Sequence, residues 1–155
     1  MRILVVSDSH GNDANLRQAL LSQPTAELVI HLGDGEAEVQ RAKPSFPEKT
    51  FLQVRGNCDW GSTLPPSGEY VAEGVKIFYT HGHLYSVKSG LYNLVCAARE
   101  RKAGIVLFGH THAAVEDYED GLYIFNPGSL NGWRPSYGTV DITEHGIVTN
   151  IINLR

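Results

Sequence analysis

Five short, largely apolar runs, Ile3–Val6, Leu28–Leu32, Phe51–Val54, Val75–Tyr79 and Ile105–Phe108, each lead into a polar turn that contains glycine. Runs of this length, rich in β-branched residues and bounded by turn signals, read as buried strands. Helical spacing separates several of them. Asn12 or Asp13 reads as an N-cap, Leu16, Ala19 and Leu20 follow at helical spacing, and Gln23-Pro24 stops the helix. A short polar helix is expected over Glu36–Ala42, and a longer one over Ser89–Lys102 with Leu91, Leu94, Val95 and Ala98 on one face. The stretch Gly61–Gly68, with Pro65-Pro66, reads as a loop, and Glu73-Gly74 as the turn of a hairpin joining Tyr70-Val71 to Val75–Tyr79.

Beyond residue 112 the alternation gives way to strands alone. Val115–Tyr118, Leu122–Phe125, Gly138–Ile142 and Ile147–Leu154 are separated by Asp120-Gly121, Asn126-Pro127-Gly128 and His145-Gly146. The dipeptides Asp-Gly and His-Gly suit tight hairpins. Two packed sheets flanked by helices, an α/β architecture, account for this order. The 155 residues match one domain, 1–155. With 42% hydrophobic and 19% charged residues, the chain carries too much apolar surface to be disordered.

The polar turns carry the chemistry. Asp8 and His10 follow the first run, Asp34 the second, Asn57 the third, His81 and His83 the fourth, and His110 and His112 the fifth. In open α/β sheets, ligands bind beyond the carboxyl ends of the strands, so adjacent strand ends bring such side chains to one crevice. Singly, these motifs are weak: Gly-Asp and Gly-Asn are common turns, and Asp-x-His also fits an N-cap beside a surface histidine. Gly-His-x-His is stronger, because residues two apart on an extended segment point the same way.

Asp8, His10, Asp34, Asn57, His81, His110 and His112 amount to seven donors, four imidazoles and three oxygens. One tetrahedral zinc with an open position needs fewer, whereas two ions ~3.5–4 Å apart with a bridging carboxylate suit that number. The mixed nitrogen and oxygen set points to manganese, iron, zinc or nickel rather than calcium or magnesium. Two divalent ions, two aspartates and a bridging hydroxide leave a net charge of about +1, which attracts a phosphate oxyanion and lowers the pKa of the bridging water. Attack of that hydroxide on the phosphorus of an ester is the expected reaction.

The series Asp8-x-His10, Gly33-Asp34, Gly56-Asn57-Cys58-Asp59, His81-Gly82-His83 and Gly109-His110-x-His112 resembles the calcineurin-like metallophosphoesterases, in particular their small bacterial and archaeal phosphodiesterase branch. Asn126-Pro127-Gly128-Ser129 and Arg134-Pro135 resemble that branch's last loop. The resemblance implies a four-layer α/β/β/α sandwich of two mixed β-sheets and a dinuclear centre, often with manganese. It places Asp8, His10, Asp34 and His112 on one ion and Asp34, Asn57, His81 and His110 on the other. Many larger members carry histidine where this chain has Cys58. A thiol substitutes poorly for a positioned imidazole acid, so activated diesters are the expected substrates, with His83 as a compensating group. The family also includes a non-catalytic scaffold, the retromer coat subunit, which makes a protein-interaction role the alternative; a single-metal zinc hydrolase is a third.

Other residues are less informative. Asp59 reads as a turn cap, or as the residue orienting Cys58 or the Asn57 loop. Arg55 and Arg134 are surface arginines or phosphate binders; Trp60 and Trp133 line the crevice rim or cover loops. His31 is expected at the core edge, His145 in a turn and Cys96 in helix packing. Cys58 and Cys96 are too few for a disulfide framework and read as reduced thiols. The apolar run at the N-terminus is too short for a signal peptide or membrane span, and a cytoplasmic location is expected. A net charge of −4 disfavours long nucleic acid and anionic lipid as partners, while exposed aromatic hairpins allow a homo-oligomer.

Overall fold

The computed structural model describes residues 1–154. Strand β1 (Arg2–Val6) leads through a polar loop to helix α1 (Asp13–Ser22), then β2 (Leu28–His31), α2 (Glu36–Ala42) and β3 (Thr50–Gln53). β4 (Ser67–Ala72) and β5 (Val75–Thr80) form a hairpin, followed by α3 (Tyr92–Glu100) and β6 (Ile105–Leu107). β7 (Val115–Glu119), β8 (Leu122–Asn126), β9 (Ser136–Thr143) and β10 (Gly146–Asn153) complete the order. Two five-stranded sheets result, in the orders β10-β9-β1-β2-β3 and β4-β5-β6-β8-β7. Both are mixed: β1, β2 and β3 run parallel, as do β5, β6 and β8, while β9 and β10 in the first sheet and β4 and β7 in the second pair antiparallel.

Alternation along the strands builds three apolar layers. Ile3 and Val5 of β1 face inward with Ile30 of β2 and meet Ile77, Ile105, Leu107 and Phe125 of the second sheet. Leu4 and Val6 point the other way, onto Leu16, Ala19 and Leu20 of α1 and Val39 of α2. Phe78, Val106 and Ile124 turn outward onto Leu94 and Ala98 of α3. The layering is therefore α/β/β/α, and the carboxyl ends of β1, β2, β5 and β6 open toward the same polar loops.

Several boundaries differ from the sequence expectation. Helix α3 is shorter at both ends than Ser89–Lys102. Gly90, at φ 141°, breaks the chain before it, and Lys102, at φ 57°, ends it in a left-handed turn where the Ala103 amide donates to Ala98 O. The loop read over Gly61–Gly68 is strand from Ser67 onward, because Ser67 and Gly68 pair with Thr80 and Tyr79. The expected tight hairpins at Glu73-Gly74 and Asp120-Gly121 have both residues at positive φ, the geometry of a type I′ turn. Asn12 caps α1 through its side chain, which accepts from the Asn15 amide at 2.9 Å.

Candidate metal centre

The loop after β1 carries Asp8 and His10, and the turn after β2 carries Asp34. Beyond β3 come Asn57 and Cys58, and β5 and β6 run directly into His81 and into His110 and His112. The structure brings all seven expected donors together. The ring nitrogens His10 Nε2 and His112 Nε2 lie 3.3 Å apart, and His81 Nε2 lies 2.9 Å from Asn57 Oδ1 and 3.2 Å from His110 Nδ1. Asp8 Oδ1 is 3.2 Å from His112 Nε2 and 3.5 Å from His10 Nε2. Asp34 Oδ2 stands between the groups, 3.3 Å from His81 Nε2 and 3.7 Å from His10 Nε2. Donor atoms of Asp8, His10 and His112 all lie within 4.8 Å of one another, as do those of Asp34, His81 and His110.

Each carboxylate is held by one oxygen and offers the other. Asp8 Oδ2 accepts from Ser7 Oγ and from the His110 amide at 3.0 Å, while Oδ1 is buried without any hydrogen-bond partner. Asp34 Oδ1 accepts from the Cys58 amide at 2.7 Å. A buried carboxylate oxygen without a donor is costly unless something positive meets it. Lone pairs converging at ~3 Å are likewise what ligands look like around an ion ~2.1 Å from each. The residues fit a divalent cation, and nitrogen with oxygen donors suits transition metals.

The electrostatics agree. His81 Nδ1 donates to Leu32 O at 2.7 Å, which fixes the ring and aims Nε2 into the site. Burial works against a charge on His81, but Asp34 and Asp8 outweigh it and hold its pKa above the ordinary value. Burial likewise opposes ionisation of Asp34, yet His81, the Cys58 amide and His10 prevail and bring its carboxyl down to about 2. The field that keeps a proton on His81 is the field a metal ion would meet. His110 and His83 are pushed down, by burial first and then by His81. Burial and the Asp34 carboxylate raise the Cys58 thiol, so it stays protonated near neutrality.

The backbone is unusual at these positions. Asp8, His10, Asp34, His110 and His112 all have φ between 42° and 69°, a left-handed conformation that non-glycine residues adopt rarely and that clusters at functional sites. Gly33, at φ 105°, has no room for a side chain: a Cβ there would stand 2.8 Å from the Gly56 amide nitrogen and 2.7 Å from His81 Nδ1.

Asp59 does more than cap its own turn. Oδ2 accepts from the Asp34 and Gly56 amides at 2.8 Å each, and Oδ1 from the Gly35 and Glu36 amides at 3.0 and 3.2 Å. One carboxylate thus ties the Asp34 turn to the Asn57 loop, a role the sequence left divided between turn cap and orienting group. Ser9 and Glu38 were absent from the sequence reading of the site, and Asn126 and Ser129 entered it only through the last-loop resemblance. Ser9 Oγ lies 3.0 Å from His31 Nε2 and donates to Glu38 Oε2 at 2.8 Å. Ser129 Oγ donates to Asp8 O at 2.8 Å, and Asn126 Nδ2 to Gly109 O at 3.2 Å, so the end of β8 and the loop after it brace the His10 and His110 turns. The Asn-Pro-Gly-Ser signature was the available signal for that brace.

His83 lies beside the centre, its ring centroid 5.3 Å from that of His81, with Nδ1 buried and unpaired. Cys58 Sγ lies within 4.8 Å of donor atoms of His10 and Asp34. Arg55 donates to Leu64 O at 2.7 Å. Trp60 and Trp133 are exposed, and Cys58 and Cys96 are free thiols. His31 is buried, as expected for the core edge.

Residues 1–145 match the family described as the calcineurin-like phosphoesterase superfamily domain. The chain belongs to that family. A Bacillus subtilis protein named a probable metallophosphoesterase is 35% identical over 131 residues, 84% of this chain and 75% of the relative. A Methanocaldococcus jannaschii phosphodiesterase is 27% identical, with 93% of each chain covered. Vacuolar protein sorting-associated protein 29 of Schizosaccharomyces pombe is 37% identical over 93% of this chain and 79% of that one. Among solved structures, a Streptococcus pneumoniae protein described as a predicted phosphoesterase superposes with TM-score 0.82 at 27% identity, covering 98% of this chain and 88% of that one. Family membership supports a metal-dependent hydrolase of phosphate esters at the general level. No helix among the described residues is long and apolar enough to cross a membrane.

Proposed function

We propose that residues 1–155 form one metallophosphoesterase domain that hydrolyses small phosphodiesters in the cytoplasm with two divalent ions, manganese foremost. The observation that carries this reading is Asp34 Oδ2 standing between the two donor groups, near both His10 and His81, with the orphaned Asp8 Oδ1 facing His10 and His112. Asp8, His10, Asp34 and His112 would hold one ion, and Asp34, Asn57, His81 and His110 the other. When bound, the ions supply Lewis acidity toward the phosphate oxygens and lower the pKa of a coordinated water.

The chain's own residues set the rest. Asn57 offers an oxygen without adding negative charge, which leaves the centre positive enough for a phosphate. Cys58, a protonated thiol, and His83, a neutral imidazole, are the two groups beside the centre able to meet a departing alcohol. Neither is a strong acid at neutral pH, so diesters with good leaving groups turn over best.

The test is elemental analysis of the purified chain combined with turnover of bis(p-nitrophenyl) phosphate in added Mn2+. The expected result is about two ions per chain and turnover that chelation abolishes. One ion per chain favours a mononuclear hydrolase. The identity to vacuolar protein sorting-associated protein 29 favours a second reading, a protein-interaction scaffold, and silence with every metal tried would select it.

A further inference from the structure

A groove of about 730 Å³ opens beside the candidate metal centre and shares His10, Asp34 and Cys58 with it. Its far wall is the start of α2, with Glu36 and Glu38, and its rim is Trp60. That volume is ordinary for a small-molecule site. Two features of the wall restrict what fits.

The first is the indole. Trp60 is 89% exposed, yet it follows Asp59, whose carboxylate is fixed by four backbone amides. A large flat ring left exposed at the edge of a groove has the shape that stacks on another flat ring. The second is charge. Arg41 is the one Lys or Arg among the lining residues, and both Asp13 oxygens engage it, at 2.9 and 3.0 Å, with Glu38 Oε1 at 3.5 Å. Glu36 receives one hydrogen bond, from Ser62 Oγ at 2.8 Å. The groove beyond the cation centre is therefore acidic, with no unpaired cation to meet a second phosphate.

We infer that this groove receives one ester arm of the phosphodiester, a flat uncharged group such as a nucleoside or aryl ring stacked on Trp60, and repels an arm that ends in another phosphate. The inference rests on the phosphodiesterase reading above and adds the substrate class.

Two probe esters with the same leaving group test it: the p-nitrophenyl ester of thymidine 5′-monophosphate and methyl p-nitrophenyl phosphate. In Trp60→Ala, the ratio of kcat/KM for the thymidine ester over the methyl ester should fall about tenfold, chiefly through KM, and Trp60→Phe should restore most of it. A third probe, the same thymidine ester with a 3′-phosphate added, should be used less well than the parent ester, and Glu36→Gln should narrow that gap; an equal rate for the two in the unaltered protein overturns the charge restriction. An unchanged ratio in Trp60→Ala overturns the inference.

Binding is read separately in Trp133→Phe, where Trp60 is the sole tryptophan of the chain. Thymidine 5′-monophosphate should change its fluorescence, and inorganic phosphate at the same concentration should not. No response to the nucleotide overturns the subsite even if the enzyme is active. A response without turnover of either ester keeps the subsite and refutes the hydrolase reading.

Discussion

Asp34 and His81, on the inner side of the centre, each have a polar atom tied to backbone, the carboxylate to the Cys58 amide and the imidazole to Leu32 O, while His10 and His112, on the outer side, meet each other and the free oxygen of Asp8. Among the imidazoles solvent follows the same division, the His81 side chain 0% exposed against 27% for His10 and 49% for His112, whereas Asp8 on the outer side is buried and Asn57 on the inner side is exposed. Hydrogen bonds to backbone hold His81 and both aspartates. The His10 and His112 rings lie in range of Asp8 Oδ1, with no hydrogen bond to backbone among the described residues to fix them. Preorganised donors bind at lower ordering cost, so the inner half should hold its ion more tightly.

Asp34→Ala breaks the comparison outright, because the shared oxygen disappears. Both ions should be lost and activity should fall to background, as read by elemental analysis and diesterase assay. Next in size is the contrast between His81→Ala and His112→Ala. The outer variant should keep about one ion per chain, whereas the inner variant should keep less than that. Equal losses in the two variants would show that the halves do not act separately.

His31 lies behind both halves, accepting from the Gly33 amide through Nδ1 at 3.1 Å and meeting Ser9 through Nε2. Burial brings its pKa from 6.5 down to about 4, and the Gly33 N–H leaves no place for a second ring proton. Between these values the unfolded chain binds the proton and the folded chain does not, so stability rises with pH there. Its contribution is complete above pH 6.5 and fades as pH falls toward about 4, on the order of 3 kcal/mol in all. Urea titrations of metal-free protein across that range should give a flatter pH dependence in His31→Gln.

Asp59→Asn sharpens the comparison from the inner side. It should weaken metal binding about 10- to 100-fold with the circular dichroism unchanged, as expected for a group that orients ligands. The smallest effect lies outside both halves. Asn12→Ala removes the α1 cap and should cost about 1 kcal/mol in a thermal melt while leaving metal affinity unaltered.

Much of this was legible in the chain because it is local. Strand positions followed from short β-branched runs, α1 from spacing and an Asn cap, and the hairpins from Glu-Gly and Asp-Gly pairs whose residues take positive φ in the structure. The seven donors were visible as polar residues placed after strands. Asp59 was harder to read. Its neighbours in sequence suggest a turn, and only the approach of the Asp34 turn, 25 residues away, gives its carboxylate two loops to join.

Alternation and turn chemistry act over a few residues, so the sequence by itself determined which segments are strands and what each strand end carries. Tertiary structure decided where those ends meet. β9 and β10 return to the first sheet against β1, and the loop before them thereby braces Asp8 through Ser129. The left-handed backbone at five of the candidate donors was equally hidden, since no local preference of Asp or His demands it. Such conformations persist where long-range hydrogen bonds over-determine the chain, and those bonds exist only after both sheets have packed.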